Sequence, residues 1–148
     1  MAENQAGEKV RIDEILPSEL ESVDVAEETV IGIATEAGFP EDELHRIGMA
    51  VREAMVNAVV HGNRYSARKK VRLRVLEGPG RIEITIGDEG EGFEMETVPD
   101  PLSEENLLRH SGRGLLLIQA FMDAVDVKKV GNVGTEIKMV KRLSASGG

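Results

Sequence analysis

The run Glu53-Ala54-Met55-Val56-Asn57-Ala58-Val59-Val60-His61-Gly62-Asn63 spaces Glu53, Asn57 and His61 four residues apart in an otherwise apolar, alanine-rich segment. At about 100° per residue, positions i, i+4 and i+8 project in a line along one side of a helix. Upstream and within the run, Leu44, Ile47, Val51, Met55 and Ala58 recur at helical spacing and form an ordinary core stripe. The opposite side should be charged throughout, yet it carries Met49, Val56 and Val60 beside Glu53 and Asn57. A carboxylate and an amide flanked by apolar residues read as the floor of a pocket. The competing reading is the solvated side of an amphipathic helix with scattered surface apolars. Pro40 ahead of Glu41-Asp42-Glu43 puts a fixed φ and negative charge at the helix start, so the helix is predicted to run from there to His61-Gly62.

Working outward, residues 9–16 alternate loosely and predict a short strand that Pro17 ends. Ser18 with Glu21 matches a capping box, and Leu20, Val23, Ala26, Val30 and Ile33 then repeat at helical spacing as far as Gly38, a natural stop. Downstream, the period changes to two at Lys70. Val71, Leu73 and Val75 alternate with Arg72 and Arg74, and after Gly78-Pro79-Gly80 the isoleucines Ile82, Ile84 and Ile86 alternate with Glu83 and Thr85, which makes a hairpin. Residues 94–111, with Pro99-Asp100-Pro101, lack a clean period and read as a long loop. Residues 115–122 read as a helix, and residues 125–130 and 135–140 as a second hairpin about Gly131-Asn132-Val133-Gly134. The order β-α-α-β-β-loop-α-β-β predicts an α+β fold, a two-layer sandwich with helices on one face of a mixed, mainly antiparallel sheet.

Composition bounds the function. A chain of 148 residues is the length of one domain, here residues 1–148 with frayed tails expected at 1–8 and 143–148. With no cysteine and only three unclustered histidines, disulfide scaffolds, thiol nucleophiles, Fe–S clusters and zinc ribbons are excluded. A net charge of −9 argues against general binding to nucleic acid or to anionic membrane. No apolar run approaches the ~18 residues of a membrane span. The polar N-terminus lacks a secretory apolar region, so the expected location is the cytoplasm. Arg64, Arg68, Lys69, Lys70, Arg72 and Arg74 form a basic cluster that reads first as a charged, exposed strand and second as a docking patch.

Two glycine motifs stand at element ends. Asp88-Glu89-Gly90-Glu91-Gly92-Phe93 follows the isoleucine strand, where alternating glycines let a ligand approach the backbone. Gly112-Arg113-Gly114-Leu115 opens the following helix, whose free N–H groups and positive dipole end suit a phosphate. Each alone reads first as a turn or a cap. Neither matches the phosphate loop of P-loop proteins or the dinucleotide fingerprint.

In order, however, Glu53-x-x-x-Asn57, Asp88-x-Gly90-x-Gly92, Gly112-x-Gly114 and Gly134-Thr135 form a specific combination. The chain resembles the GHKL (Bergerat-fold) ATPase superfamily and, within it, the anti-sigma-factor serine kinases of the RsbW type, over residues 10–143. The resemblance implies ATP and Mg²⁺ as cofactors, with Asn57 as the metal ligand and Glu53 as the catalytic base. It implies that Asp88 accepts a hydrogen bond from the adenine amino group, where guanine has an oxygen, and that Thr135 lies near the same base. It implies that Gly90 and Gly92 lie along the base, that Gly112 and Gly114 follow the phosphates, and that residues 94–111 form the lid. Arg113 reads equally as a phosphate contact, a partner contact and a solvated charge, and His61 first as a cap or pocket wall. With about forty residues ahead of the Glu53 helix, the phospho-accepting hairpin of sensor histidine kinases is not expected. The implied activity is phosphorylation of a STAS-domain anti-anti-sigma protein by a homodimer that also holds a sigma factor. The alternative is a catalytically silent ATP-binding module that binds a protein partner without phosphoryl transfer.

Overall fold

Alternation of period two builds the sheet in the computed structural model, which describes residues 3–4, 7–89, 114–129 and 134–143. In β3 (Lys70–Gly78) Val71, Leu73 and Val75 are buried, and in β4 (Arg81–Asp88) Ile82, Ile84 and Ile86 are buried. The two strands meet at Pro79-Gly80, where Gly80 takes a φ of +70° that a turn requires. Strand β2 (Glu8–Pro17) pairs with β3, and β1 (Glu3–Asn4) pairs with β2 at the edge. On the other side, β6 (Thr135–Arg142) pairs with β4, and β5 (Ala124–Lys129) pairs with β6. The strand order is β1-β2-β3-β4-β6-β5, and every pairing among the described residues is antiparallel. The mainly antiparallel sheet expected from the hairpins therefore carries no parallel pair in this region.

Register follows from the apolar rows. Leu73 lies opposite Ile86 and Ile86 opposite Ile137, while Val75, Ile84 and Met139 form the next row. Side chains two apart share a face. The same parity therefore delivers Asp88, at the end of β4, opposite Thr135, at the start of β6, on the face that Ile86 and Ile137 bury.

The helices cover that face. Helix α1 (Leu20–Glu36) buries Val23, Ala26, Val30 and Ile33; helix α2 (Glu41–Val56) buries Ile47, Ala50, Val51, Ala54 and Met55. Helix α3 (Gly114–Phe121) packs on α2 through the buried Leu115 and Ile118. These residues join the strand isoleucines in one core cluster, and each fully buried large aliphatic contributes about 1.5–3 kcal/mol. Helix α1 stops at Gly38 as the sequence predicts: Gly38 has a φ of +101°, its N–H donates to Thr35 O at 3.1 Å, and Phe39 N–H donates to Ala34 O at 3.1 Å. This is a Schellman closure, with Phe39 turned into the core. Among the described residues no helix is long and apolar enough to cross a membrane.

Several local expectations are corrected. The capping box does not form: α1 begins at Leu20, Glu19 occupies the N-cap position, and no side chain caps it. Ser18 is buried instead and its hydroxyl donates to Lys69 O at 2.5 Å, because a partner from a distant loop fills the space that the first turn would have used. Val56 and Val60 are not scattered surface residues; they are half-buried and pack against the core. Glu8 and Leu143, at the inner ends of the expected tails, are placed: Glu8 opens β2 and is buried, and Leu143 N–H donates to Gly80 O at 2.8 Å. The loop expected at 94–111 and the turn at 131–133 lie outside the described residues. The basic cluster follows its first reading at Arg72, which is exposed and pairs with Asp13 at 2.7 Å.

Candidate functional site

Helix α2 does not end where its α-helical hydrogen bonding ends. From Asn57 to Gly62 the chain winds one π-helical turn, closed by Asn63 N–H donating to Ala58 O at 2.8 Å. Such turns concentrate at functional sites, because the wider winding re-aims side chains. Here it breaks the line of three polar residues. Four residues complete an α turn but fall short of a π turn, so Glu53 and Asn57 remain half-buried on one side while His61 is exposed.

Gly114, the first residue of α3, lies directly against that pair. A Cβ there would stand 3.0 Å from Glu53 Oε1, 3.2 Å from Asn57 Nδ2 and 3.4 Å from Asn57 Oδ1. Only glycine brings the helix N-terminus this close to a carboxylate and an amide without displacing them. The positive end of the α3 dipole thus faces the same space.

The second group of candidates gathers at the sheet end. Asp88 and Thr135 are paired across β4 and β6. Two glycine backbones confine Asp88: a Cβ on Gly62 would fall 2.5 Å from its carboxylate, and one on Gly134 would fall 2.6 Å from its main-chain oxygen. Gly134 holds a φ of +96°, which lets the chain turn into β6 beside Asp88. The π-helical turn carries the chain from Asn57 in the first group to Gly62 in the second, so the two groups share one element. Gly90, Gly92, Gly112 and Arg113 lie outside the described residues.

Sequence reasoning missed two residues here. Asn63 is 2% exposed, and its amide hydrogen-bonds Ser18, Lys70 and Glu89. Lys141, buried on β6, pairs with Glu43 at the start of α2 and donates to Phe121 O at the end of α3. For Asn63 no local signal was available, because all three partners of its amide lie outside the helix that it ends. For Lys141 the signal was a charge in phase with Ile137 and Met139.

The two groups thus lie on one side of the antiparallel sheet, Glu53, Asn57 and Gly114 at one end of the π-helical turn and Asp88 between Gly62 and Gly134 at its other. Residues 16–141 match the family model of the histidine kinase-like ATPase domain, and the chain belongs to that family. Within it the chain falls with the anti-sigma-factor serine kinases of the RsbW type. It is 33% identical over 135 residues to the serine-protein kinase RsbW of Oceanobacillus iheyensis, spanning 87% of this chain and 84% of that one. It is 37% identical over 107 residues to the anti-sigma F factor of the same organism, spanning 71% and 73%. A chain in the crystal structure of the SiaB-SiaC complex from Pseudomonas aeruginosa shares the fold, with a TM-score of 0.63 at 12% identity over 88% of this chain and 89% of that one.

Proposed function

We propose that the chain is an ATP- and Mg²⁺-dependent protein-serine kinase of the cytoplasm whose substrate is a STAS-domain anti-anti-sigma protein, and that it holds a sigma factor in the same partner-switching system. The observation that carries the reading is Glu53 retained one helical turn before Asn57, with both against Gly114. A pure nucleotide switch needs the amide and the glycine but no base.

The donor set fits the metal. The Asn57 amide oxygen and the Glu53 carboxylate are hard oxygen donors beside a space that a single Cβ would fill. Magnesium at such a site neutralises phosphate charge. Asn57 would hold it, and Gly114 would bring the α3 N-terminus towards the phosphates. Asp88, with Thr135 beside it, would take the adenine amino group, for which guanine offers no donor. Glu53 would accept the proton of the substrate serine as its oxygen bonds to the γ-phosphorus and the bond to the β,γ-bridging oxygen breaks, with ADP leaving. A homodimer through α1 belongs to the same reading, supported by Leu20 and Val25, which stand 54% and 45% exposed.

The test is incubation of wild type and Glu53→Ala with labelled ATP and the cognate STAS protein. The expected result is label on the partner's serine with wild type and a loss of about 10²–10⁴-fold in rate with the variant, while nucleotide binding persists. Equal labelling by both sinks the assignment of Glu53 as base. No labelling by wild type that still binds ATP and its partner favours the silent module.

A further inference from the structure

Asn63 is among the few buried polar residues of the described chain, and its amide is nearly saturated. Nδ2 donates to Ser18 Oγ at 2.8 Å and to Lys70 O at 3.0 Å, while Oδ1 accepts from Glu89 N–H at 2.8 Å. The orientation is unambiguous. Reversing the amide would set an NH₂ against the Glu89 N–H and an oxygen against the Lys70 carbonyl. Glu89 follows Asp88, the last β4 residue paired with β6, so its N–H lies beyond the ladder and Asn63 supplies the acceptor. The backbone around Asn63 is itself unusual. Arg64 and Tyr65, neither of them glycine, take φ of +52° and +62°. Neighbouring hydrogen bonds hold them there, from Tyr65 N–H to Val59 O at 2.9 Å and from Ser66 N–H to Asn63 O at 3.0 Å. Left-handed backbone maintained against its intrinsic preference marks a place where the surroundings fix geometry.

We propose that Asn63 is a positioning residue that fixes the Asp88-Glu89 backbone through the Glu89 N–H and thereby sets the preference of the site for adenine over guanine. The Asp88 carboxylate lies 2.5 Å from where a Gly62 Cβ would be, and its carbonyl oxygen 2.6 Å from where a Gly134 Cβ would be. A carboxylate in so narrow a slot keeps its aim only while the main chain after it is held, and Asn63 Oδ1 holds it at the Glu89 N–H. The inference rests on the reading of Asp88 as the adenine contact.

The experiment measures affinities for non-hydrolysable ATP and GTP analogues by calorimetry, with thermal melting in parallel, on the full chain. The variants are Asn63→Ala, Asn63→Asp, Ser18→Ala and Asp88→Asn. Asn63→Leu, of similar volume and without polar atoms, replaces the alanine variant if that one does not fold. Asn63→Ala is expected to lower the ATP:GTP affinity ratio at least fivefold. Asn63→Asp keeps an oxygen for Glu89 N–H but loses both donated bonds, and Ser18→Ala removes one acceptor of Nδ2; both are expected to melt earlier yet keep the ratio within twofold. A wild-type ratio in Asn63→Ala, with the ratio lost in Asp88→Asn, overturns the role of Asn63 and leaves Asp88 standing. A wild-type ratio in Asp88→Asn overturns the adenine contact and the inference with it. Equal loss of ratio in every variant at positions 18 and 63 means general loosening, which also overturns it.

Discussion

A methyl group added at Gly114 would stand 3.0 Å from Glu53 Oε1, closer than a carbon settles against an oxygen. The atom it meets is the far end of a flexible side chain, which can swing away, so the fold has little to lose. Alanine in place of glycine in a helical first turn also reduces the freedom of the unfolded chain, worth about 0.4–1 kcal/mol of stability. Gly114→Ala is therefore expected to melt at or slightly above the wild-type temperature while its phosphotransfer rate falls about tenfold, because a carboxylate pushed off its aim meets the serine proton less well. Melting curves and single-turnover labelling of the STAS partner check the two halves separately. A destabilised variant with wild-type phosphotransfer contradicts the placement of Glu53. Spacing alone made Glu53 and Asn57 legible, since four residues are a helical turn; their contact with Gly114 was not, because it joins positions 57 and 61 residues apart (114 − 57 and 114 − 53).

Between elements, the exposed face of the sheet is held by charge pairs across strands. Asp13 on β2 accepts two hydrogen bonds from Arg72 on β3, at 2.9 and 2.7 Å. These bonds, helped by the charges of Arg72 and Arg74 and opposed by slight burial, hold the Asp13 carboxyl below its ordinary value. A carboxyl lowered on folding adds stability above its unfolded value of about 3.9 and loses it as the pH falls through the folded value. The pair is half in solvent, with side chains 35% and 51% exposed, so its contribution is at most about 1 kcal/mol and shrinks with salt. Wild type is expected to exceed Asp13→Asn in stability by that small margin above pH about 5 and to lose the margin as the pH falls through the lowered value of the folded state. A margin that persists in strong acid, or grows with salt, excludes this pair as its cause. The strands themselves were legible because a period of two fixes both face and register, as Leu73, Ile86 and Ile137 show. The π-helical turn was not: Val59 and Val60 fit an α-helical period as well as they fit the wider turn, and backbone hydrogen bonds such as that from Asn63 to Ala58 are what separate the two. Ser18 misled for a related reason, since its partner Asn63 lies 45 residues away and nothing local encodes it.

Across the whole molecule, one buried charge joins the sheet to both helices that build the candidate site. Lys141 is 7% exposed, in phase with Ile137 and Met139 on the helix-covered face of β6. Its ammonium lies 2.8 Å from Glu43 Oε1 at the start of α2 and donates to Phe121 O, at the end of α3, at 3.0 Å. The opposite ends of those same helices carry Glu53 and Gly114. Removing the carboxylate charge leaves a buried ammonium facing only neutral acceptors, so Glu43→Gln is expected to cost about 3 kcal/mol, the low end for a broken buried pair, because the Glu43 side chain is itself 19% exposed. Lys141→Met removes the charge and keeps the volume; the carboxylate it strands can turn to solvent, so its loss is smaller. The double variant Glu43→Gln/Lys141→Met is expected to recover most of the loss seen in Glu43→Gln, since an apolar side chain no longer needs a counter-charge. Urea unfolding at constant slope measures all three. Losses that simply add would show that Glu43 and Lys141 act independently, and that the two helices are fixed by their apolar faces alone.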